Sequence, residues 1–321
     1  MDPAEFLLQV IDLLRTSPGV RDKVAIHEAY APALAVAGGV PVGDDCAALP
    51  DPATGGYLLL AAEGMLESFV AADPWFAGYS AVMVNLSDVA AMGGRPLAIV
   101  DVFWTPGAAV SEAVWAGMTA ASQAYGVPIV GGHTTQNSAA GKGYLAAAVL
   151  GRTAGPALIT SFDAVPGDIL LVAVDLNGAY RENKPFWNAS TTATPEHLRA
   201  GLEILPRLAE SGLCATGKDI SNGGIIGTLA MLLKCSNIGA RLDLQAVPRP
   251  AEAGESPAAF ARWLSAFPSY GYLLSVKARD VAAVVAEFAR EGITCAACGE
   301  VVEGTALDLV HGAETARFVE Y

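Results

Sequence analysis

Five short polar clusters lie beside glycine at the edges of otherwise apolar stretches, and they constrain the fold more than any other feature of the chain. They are "GDDCAAL" (43–49), "AAEG" (61–64), "VNLSDVAAMGGRP" (84–96), "GGHTT" (131–135) and "KDISNGG" (218–224). Together they place Asp44, Asp45, Glu63, Asp88, Asp219 and His133 where apolar elements meet loops. Taken singly, each carboxylate reads as a helix cap or an Asx-turn. Taken together, they read as a site: converging carboxylates repel unless a hard cation joins them, and Mg²⁺ prefers oxygen ligands together with substrate phosphates.

Composition narrows the classes of function. The chain has 321 residues, 53% of them hydrophobic, which is enough for a large core and for two domains. Its formal net charge of −14 sets a field that repels nucleic acid and anionic membrane surfaces. An anionic ligand therefore needs divalent cations, glycine-rich backbone and helix N-termini more than lysine clusters. No apolar run reaches the roughly 18 to 20 residues of a membrane span, and the acidic start "MDPAEFLLQV" is unlike a secretory leader. Five scattered cysteines fit a reducing compartment, so a cytoplasmic location is expected.

Periodicity predicts a helix over 2–16, strands over 56–64, 126–132, 143–151 and 167–175, and helices over 78–92 and 111–125. On the helix of 78–92, Asn85 and Asp88 stand at i,i+3 and share a face. A turn-rich stretch over 151–168 reads as an interdomain connection, giving an N-terminal domain of 1–155 and a C-terminal domain of 156–321. The second half predicts helices near 195–211, 223–236, 256–265 and 279–291, with strands near 215–221, 239–244, 270–276 and 293–301. The expected class is α+β in two domains.

Other chemistries lack their motifs. There is no G-x-x-x-x-G-K-[ST] loop and no G-x-S-x-G elbow, and the single "CAAC" (295–298) runs into an apolar strand and reads as buried thiols.

The order and spacing of "GDDCAAL", "VNLSDVAAMGGRPL", "GGHTT", "PGD" (166–168) and "KDISNGG" resemble the ATP-dependent superfamily of aminoimidazole ribonucleotide (AIR) synthetase. That superfamily includes thiamine-monophosphate kinase and selenophosphate synthetase, and "VNLSDVAAMG" is nearest the kinase. The resemblance implies a two-domain PurM-like fold whose N-terminal domains pair into a dimeric β-barrel, with a C-terminal α/β domain. It also implies ATP and Mg²⁺ in the cleft and a small-molecule substrate. By motif, Asp45, Asp88 and Asp219 match metal ligands, and Glu63 stands where the family has aspartate. Asp88 and Asp219 would be the catalytic pair. Gly43, Asp44, Asn85, Gly131, Gly132, His133, Thr134, Ser221 and Asn222 would line the nucleotide.

This sequence also departs from the kinase pattern. His133 replaces the acid of "GGDT", Asn222 replaces an aspartate, Ser161 stands where arginine is expected, and "FPSYGYLL" (267–274) replaces an acidic substrate-binding element. Three readings follow: a kinase, a synthetase that phosphorylates an oxygen before ring closure or displacement, and a nucleotide-binding protein without turnover. A segment peculiar to the chain, "LNGAYRENKPFWNAS" (176–190), offers Arg181, Lys184 and Trp187 as substrate contacts, or else is a surface loop around a packed tryptophan.

Overall fold

The computed structural model describes residues 1–25, 40–136, 142–181 and 184–321. Of its two main sheets, the first has strands such as 95–105 and 144–152 that alternate buried and exposed positions, and the second has central strands, 169–174 and 271–276, that are buried on both faces.

The first sheet comprises β1 (Ala47–Asp51), β2 (Gly56–Met65), β3 (Arg95–Thr105), β4 (Ile129–Gln136) and β5 (Tyr144–Arg152), in the order β1-β2-β5-β3-β4. Only β3 and β4 run parallel. A parallel pair needs a crossover, and α5 (Ala108–Tyr125) supplies it. Ahead of β3 lie α3 (Glu67–Ala72) and α4 (Pro74–Ala91). The side chain of Asp73 caps α4 by accepting from Phe76 N at 3.2 Å, and Pro74 takes the first turn, where its missing N–H costs nothing. The helix thus starts four residues before the apolar spacing predicts. Most of α4 is buried all round, because the sheet lies on one side of it and the second half of the chain on the other.

The second sheet has the order β15-β14-β10-β13-β6-β12-β9. Its strands are β6 (Ile169–Val174), β9 (Thr216–Asp219), β10 (Gly239–Asp243), β12 (Gly271–Val276), β13 (Thr294–Val302), β14 (Ala306–His311) and β15 (Glu314–Glu320). A small third sheet joins β7 (Ala179–Tyr180), β8 (Phe186–Asn188) and β11 (Phe267–Pro268). Leu171 and Ala173 of β6 face a core shared with α4, α5, α6 (Pro195–Leu202) and α7 (Ile204–Glu210). Leu170, Val172 and Val174 face a second core with α8 (Gly224–Ser236) and α9 (Pro257–Leu264). The remaining helix, α10 (Val281–Arg290), buries Val284 and Phe288 in the shared core.

Several expectations change. The helix expected near 195–211 is two helices that meet at Glu203. "SPG" ends α1 (Pro3–Thr16), but Pro18 then opens α2 (Pro18–Ala25), a second use of proline as a helix start. Leu7, Val10, Ile11 and Leu14 of α1 pack in the second core, so the first 25 residues lie with the C-terminal sheet and not with the N-terminal one. Among the described residues the N-terminal sheet is open, and no helix packs on its outer face.

Candidate functional site

The site forms where three chain segments meet: the bend before β1, the C-terminal half of α4, and the end of β9. One carboxylate oxygen each from Asp45, Asp88 and Asp219 lies within 4.8 Å of the other two. Asp219 ends β9, held against β12 opposite Tyr272. Its backbone N–H donates to Asp45 Oδ2 at 3.2 Å, which ties the N-terminal bend to the C-terminal sheet. Asp88 is only 6% exposed, and its Oδ2 has no hydrogen-bond partner. A buried carboxylate oxygen without a donor is costly unless something outside the chain satisfies it.

Burial dominates the electrostatics. It pushes Asp45 up to about 7, against the pull of Lys218 and with the push of Asp219 and Asp44. It pushes Asp219 to about 6, again against Lys218, and Asp88 well above the ordinary carboxylate range, with Asp219 and Asp45 adding to the effect. Three acids that resist ionising together, one of them unpartnered, are the donor set a hard divalent cation needs. The residues present therefore fit Mg²⁺.

Asp44, expected at the nucleotide, is an anchor instead. Its side chain is inaccessible, with Oδ2 accepting from Ser161 N and Oδ1 from Ser161 Oγ, both at 2.7 Å. Ser161, the position that departs from the family's arginine, thus clamps the bend that presents Asp45. Asn85 is also redirected. It is fully buried, its Nδ2 donating to Ala81 O at 2.8 Å and to Ala147 O at 3.3 Å, so it ties α4 to β5, while its Oδ1 is buried without a hydrogen-bond partner.

Glu63 lies on β2 outside the triad, although its charge raises Asp88 and Asp219. Gly43 adopts φ +120 with open space around it, a bend that favours glycine. Gly131, Gly132, His133 and Thr134 run along β4, the exposed edge of the first sheet, where His133 Nε2 meets Thr135 Oγ1 at 3.0 Å. Ser221 is half-buried after β9, its N–H donating to Thr228 Oγ1 at 3.2 Å. Asn222 is exposed, and its Oδ1 crowds Gly19, so α2 closes over this turn.

Two residues of the 176–190 segment do not serve as free substrate contacts. Trp187 is fully buried, its Nε1 donating to Asp175 O at 2.9 Å while its ring packs edge-on against Trp263. Arg181 donates from Nε to Asp73 Oδ2 at 2.8 Å and lies over the Phe76 ring at 4.1 Å. It therefore straps this segment to the start of α4. Lys184 is exposed near Phe69, with its ammonium 5.7 Å from the ring centre.

Two charged residues escaped the sequence reading. Lys218 is buried, its ammonium paired with Asp45 and 3.7 Å from Asp44 Oδ1. Asp101 is 2% exposed with neither oxygen partnered, and a Cβ on Gly132 would fall 1.9 Å from its Oδ1. Asp101 and Glu63 both pair across Ala147, one on each neighbouring strand of β5. Nothing in the composition of "AIVDVF" singles out Asp101; only the register places it beneath the helices.

The family described as AIR synthase related protein matches through its N-terminal domain over residues 43–153 and its C-terminal domain over 167–312. An uncharacterized protein of Synechocystis sp. is 49% identical over 87% of this chain and 84% of its own length. Thiamine-monophosphate kinase of Salmonella typhimurium is 32% identical over 65% of this chain and 66% of its own. Among solved structures, T. maritima PurL complexed with ADP superposes with a TM-score of 0.76 at 17% identity, over 98% of this chain. The chain spans about half the length of that structure, 50% of it. With both halves matched, the chain belongs to the AIR synthase related family and has its mixed α+β, two-domain PurM-like fold.

Proposed function

We propose that the chain is an ATP- and Mg²⁺-dependent enzyme that transfers a phosphoryl group to a small molecule. The observation that carries this reading is the buried triad of Asp45, Asp88 and Asp219, with one Asp88 oxygen left for a ligand outside the chain. Its context is a family whose relatives include a kinase and whose fold occurs in a structure solved with ADP. Asp88 and Asp219 would hold the cation, with Asp45 beside them, and the cation would offset the charge of the phosphates in the transition state. The chain's own part is placement. Ser161 fixes Asp44 and with it the bend carrying Asp45, while Asn85 fixes the helix carrying Asp88. The exposed backbone of Gly131–Thr134 and the α8 N-terminus at Gly223–Gly224 would approach the phosphates, and Lys184 would reach the substrate.

The kinase reading is preferred because "VNLSDVAAMG" resembles the kinase motif and because a thiamine-monophosphate kinase is 32% identical over 65% of this chain. The test is titration calorimetry of ATP with and without Mg²⁺, followed by product analysis under saturating Mg-ATP across candidate acceptors. A stable phosphate ester supports the kinase. Free phosphate with a rearranged product would transfer the reading to a synthetase. Absence of Mg²⁺-dependent ATP binding would overturn both and leave a protein without turnover.

We also propose a cytoplasmic homodimer built on the open face of the N-terminal sheet. Among the described residues, no helix is long and apolar enough to cross a membrane.

A further inference from the structure

Lys218 is unexpected chemistry at the centre of an acidic site. All four residues of β9, Thr216 to Asp219, are buried, and the Lys218 side chain is only 4% accessible. Taking an ammonium out of water costs several kcal/mol unless charges of the opposite sign meet it. Here they do: it pairs with Asp45 Oδ1 and lies 3.7 Å from Asp44 Oδ1. Lysine is therefore a structural member of the cluster and not a surface residue that folds back.

The charge count has a consequence for metal. Asp44, Asp45, Asp88 and Asp219 bring four carboxylates, of which Asp44 is already committed to Ser161 and Lys218. Lys218 also occupies Asp45 Oδ1, while the N–H of Asp219 takes the other oxygen. What remains open is the Asp88–Asp219 side, including the unpartnered Asp88 Oδ2, which is buried with the rest of Asp88. A second divalent ion at Asp45 would have to share that carboxylate with an ammonium and meet its repulsion.

We propose that Lys218 is a resident cation that takes the place of one divalent ion, so that the cluster accepts a single Mg²⁺ on its Asp88–Asp219 side. This rests on the metal reading of the triad given above and specifies how many ions it holds. The ammonium is fixed in number and position, and its pairing with Asp45 Oδ1 holds that carboxylate at the site when metal is absent.

The experiment uses Mn²⁺ alone as the probe, with free Mn²⁺ counted by electron paramagnetic resonance and binding by calorimetry, on the full-length chain. Wild type is expected to bind one Mn²⁺ per chain without Mn–Mn dipolar coupling. Lys218→Met is expected to bind two in the same concentration range, and Lys218→Arg, which keeps the charge, only one. Two coupled ions in wild type would overturn the proposal, as would an unchanged count in Lys218→Met. Because wild type alone gives a decisive count, the proposal stays testable even if Lys218→Met does not fold. Failure of the underlying metal reading has a different signature: no Mn²⁺ bound by wild type or by Lys218→Met, and Asp88→Asn indistinguishable from both.

Discussion

At the scale of single residues, Asp88 is the side chain whose substitution separates stability from function. Its Oδ2 is buried and unpartnered, a condition that costs ~1–3 kcal/mol for such a group. Asp88→Asn is therefore expected to melt higher than wild type in metal-free buffer. It should also lose Mg²⁺-dependent ATP binding by at least about tenfold, the loss of one charge-assisted ligand. A variant that binds Mg-ATP as tightly as wild type would exclude Asp88 from the site. Acidity gives a second test. Asp45 and Asp219 titrate at about 7 and about 6 in the folded chain, and Asp88 is raised further, all from an ordinary value of 3.8. The folded state therefore binds protons more readily than the unfolded one, and the stability these groups contribute is lost as pH rises from about 4 through about 7. Without metal, the melting temperature is expected to climb as pH falls from about 8 to about 5.5, and saturating Mg²⁺ should flatten or invert that slope; a metal-free profile that falls over this range contradicts it. The triad itself was legible in the sequence, because each member stands at a glycine-marked edge of an apolar run. Lys218 and Asp101 were not, since a charged residue within a strand normally faces water and only strand pairing reveals that both faces are covered. Asp44, Asn85 and Trp187 were legible as polar or aromatic features, but their partners, Ser161, Ala147 and Asp175, lie 12 to 117 residues away in the chain.

At the scale of elements, the site depends on how closely α4 and α5 approach each other. Gly117 faces Trp75 across the helix pair, where an added Cβ would lie 1.8 Å from Trp75 O, and Gly78 faces Val114 O at 2.1 Å. Backbone atoms cannot swing aside as a side chain can, so Gly117→Ala must separate the helices. Overpacking of this kind costs ~1–3 kcal/mol, which urea unfolding would register as a lower midpoint with an unchanged slope. Because α4 carries Asp88, the same substitution is expected to weaken Mg²⁺ binding, although it lies far from the metal in sequence. Gly107→Ala, with open space around it, is the control and should shift stability by less than about 0.5 kcal/mol. If Gly117→Ala unfolds like the control, the helix pair is not what holds α4 in place. Periodicity located both helices but began α4 at 78, because an all-round buried helix has no polar face to mark its register, and the capping signal "DP" at 73–74 precedes the apolar spacing. The β14–β15 hairpin at the end of the chain was not read at all. Its residues alternate weakly, and it is defined by parallel pairing of β14 with β10, a contact across more than 60 residues that no local pattern announces.

At the scale of the molecule, one face has no partner among the described residues. The inner face of the N-terminal sheet buries Leu59, Ile99, Phe103, Leu145 and Val149 beneath α4 and α5. Its outer face leaves Leu60, Val100, Trp104, Tyr144 and Leu150 between 36% and 43% exposed. These are not scattered. Leu60 pairs with Leu150 across β2 and β5, and Val100 with Ala148 and Trp104 with Tyr144 across β3 and β5, so they share one face of the sheet along the length of β5. Exposed apolar surfaces of this kind mark association, and a second copy offers the matching face by symmetry. The expectation is a dimer of the full-length chain at micromolar concentration in size-exclusion chromatography with light scattering. Val100→Glu, which places a charge in the centre of the face without touching the core, should give a monomer whose melting temperature in dilute solution changes little. A monomeric wild type would refute the dimer outright; a dimer that survives Val100→Glu would put the interface on another face. The outcome bears on the site as well, since β4, which carries Gly131 to Thr134, is the open edge of this same sheet. If the partner's sheet stacks on the outer face, it approaches His133, whose side chain lies on the Val102 side of the strand pair, and the edge strand becomes a wall of the cleft. In that case Val100→Glu should weaken ATP binding along with dimerisation, and measuring both on the same preparation tells whether one chain or two complete the nucleotide site.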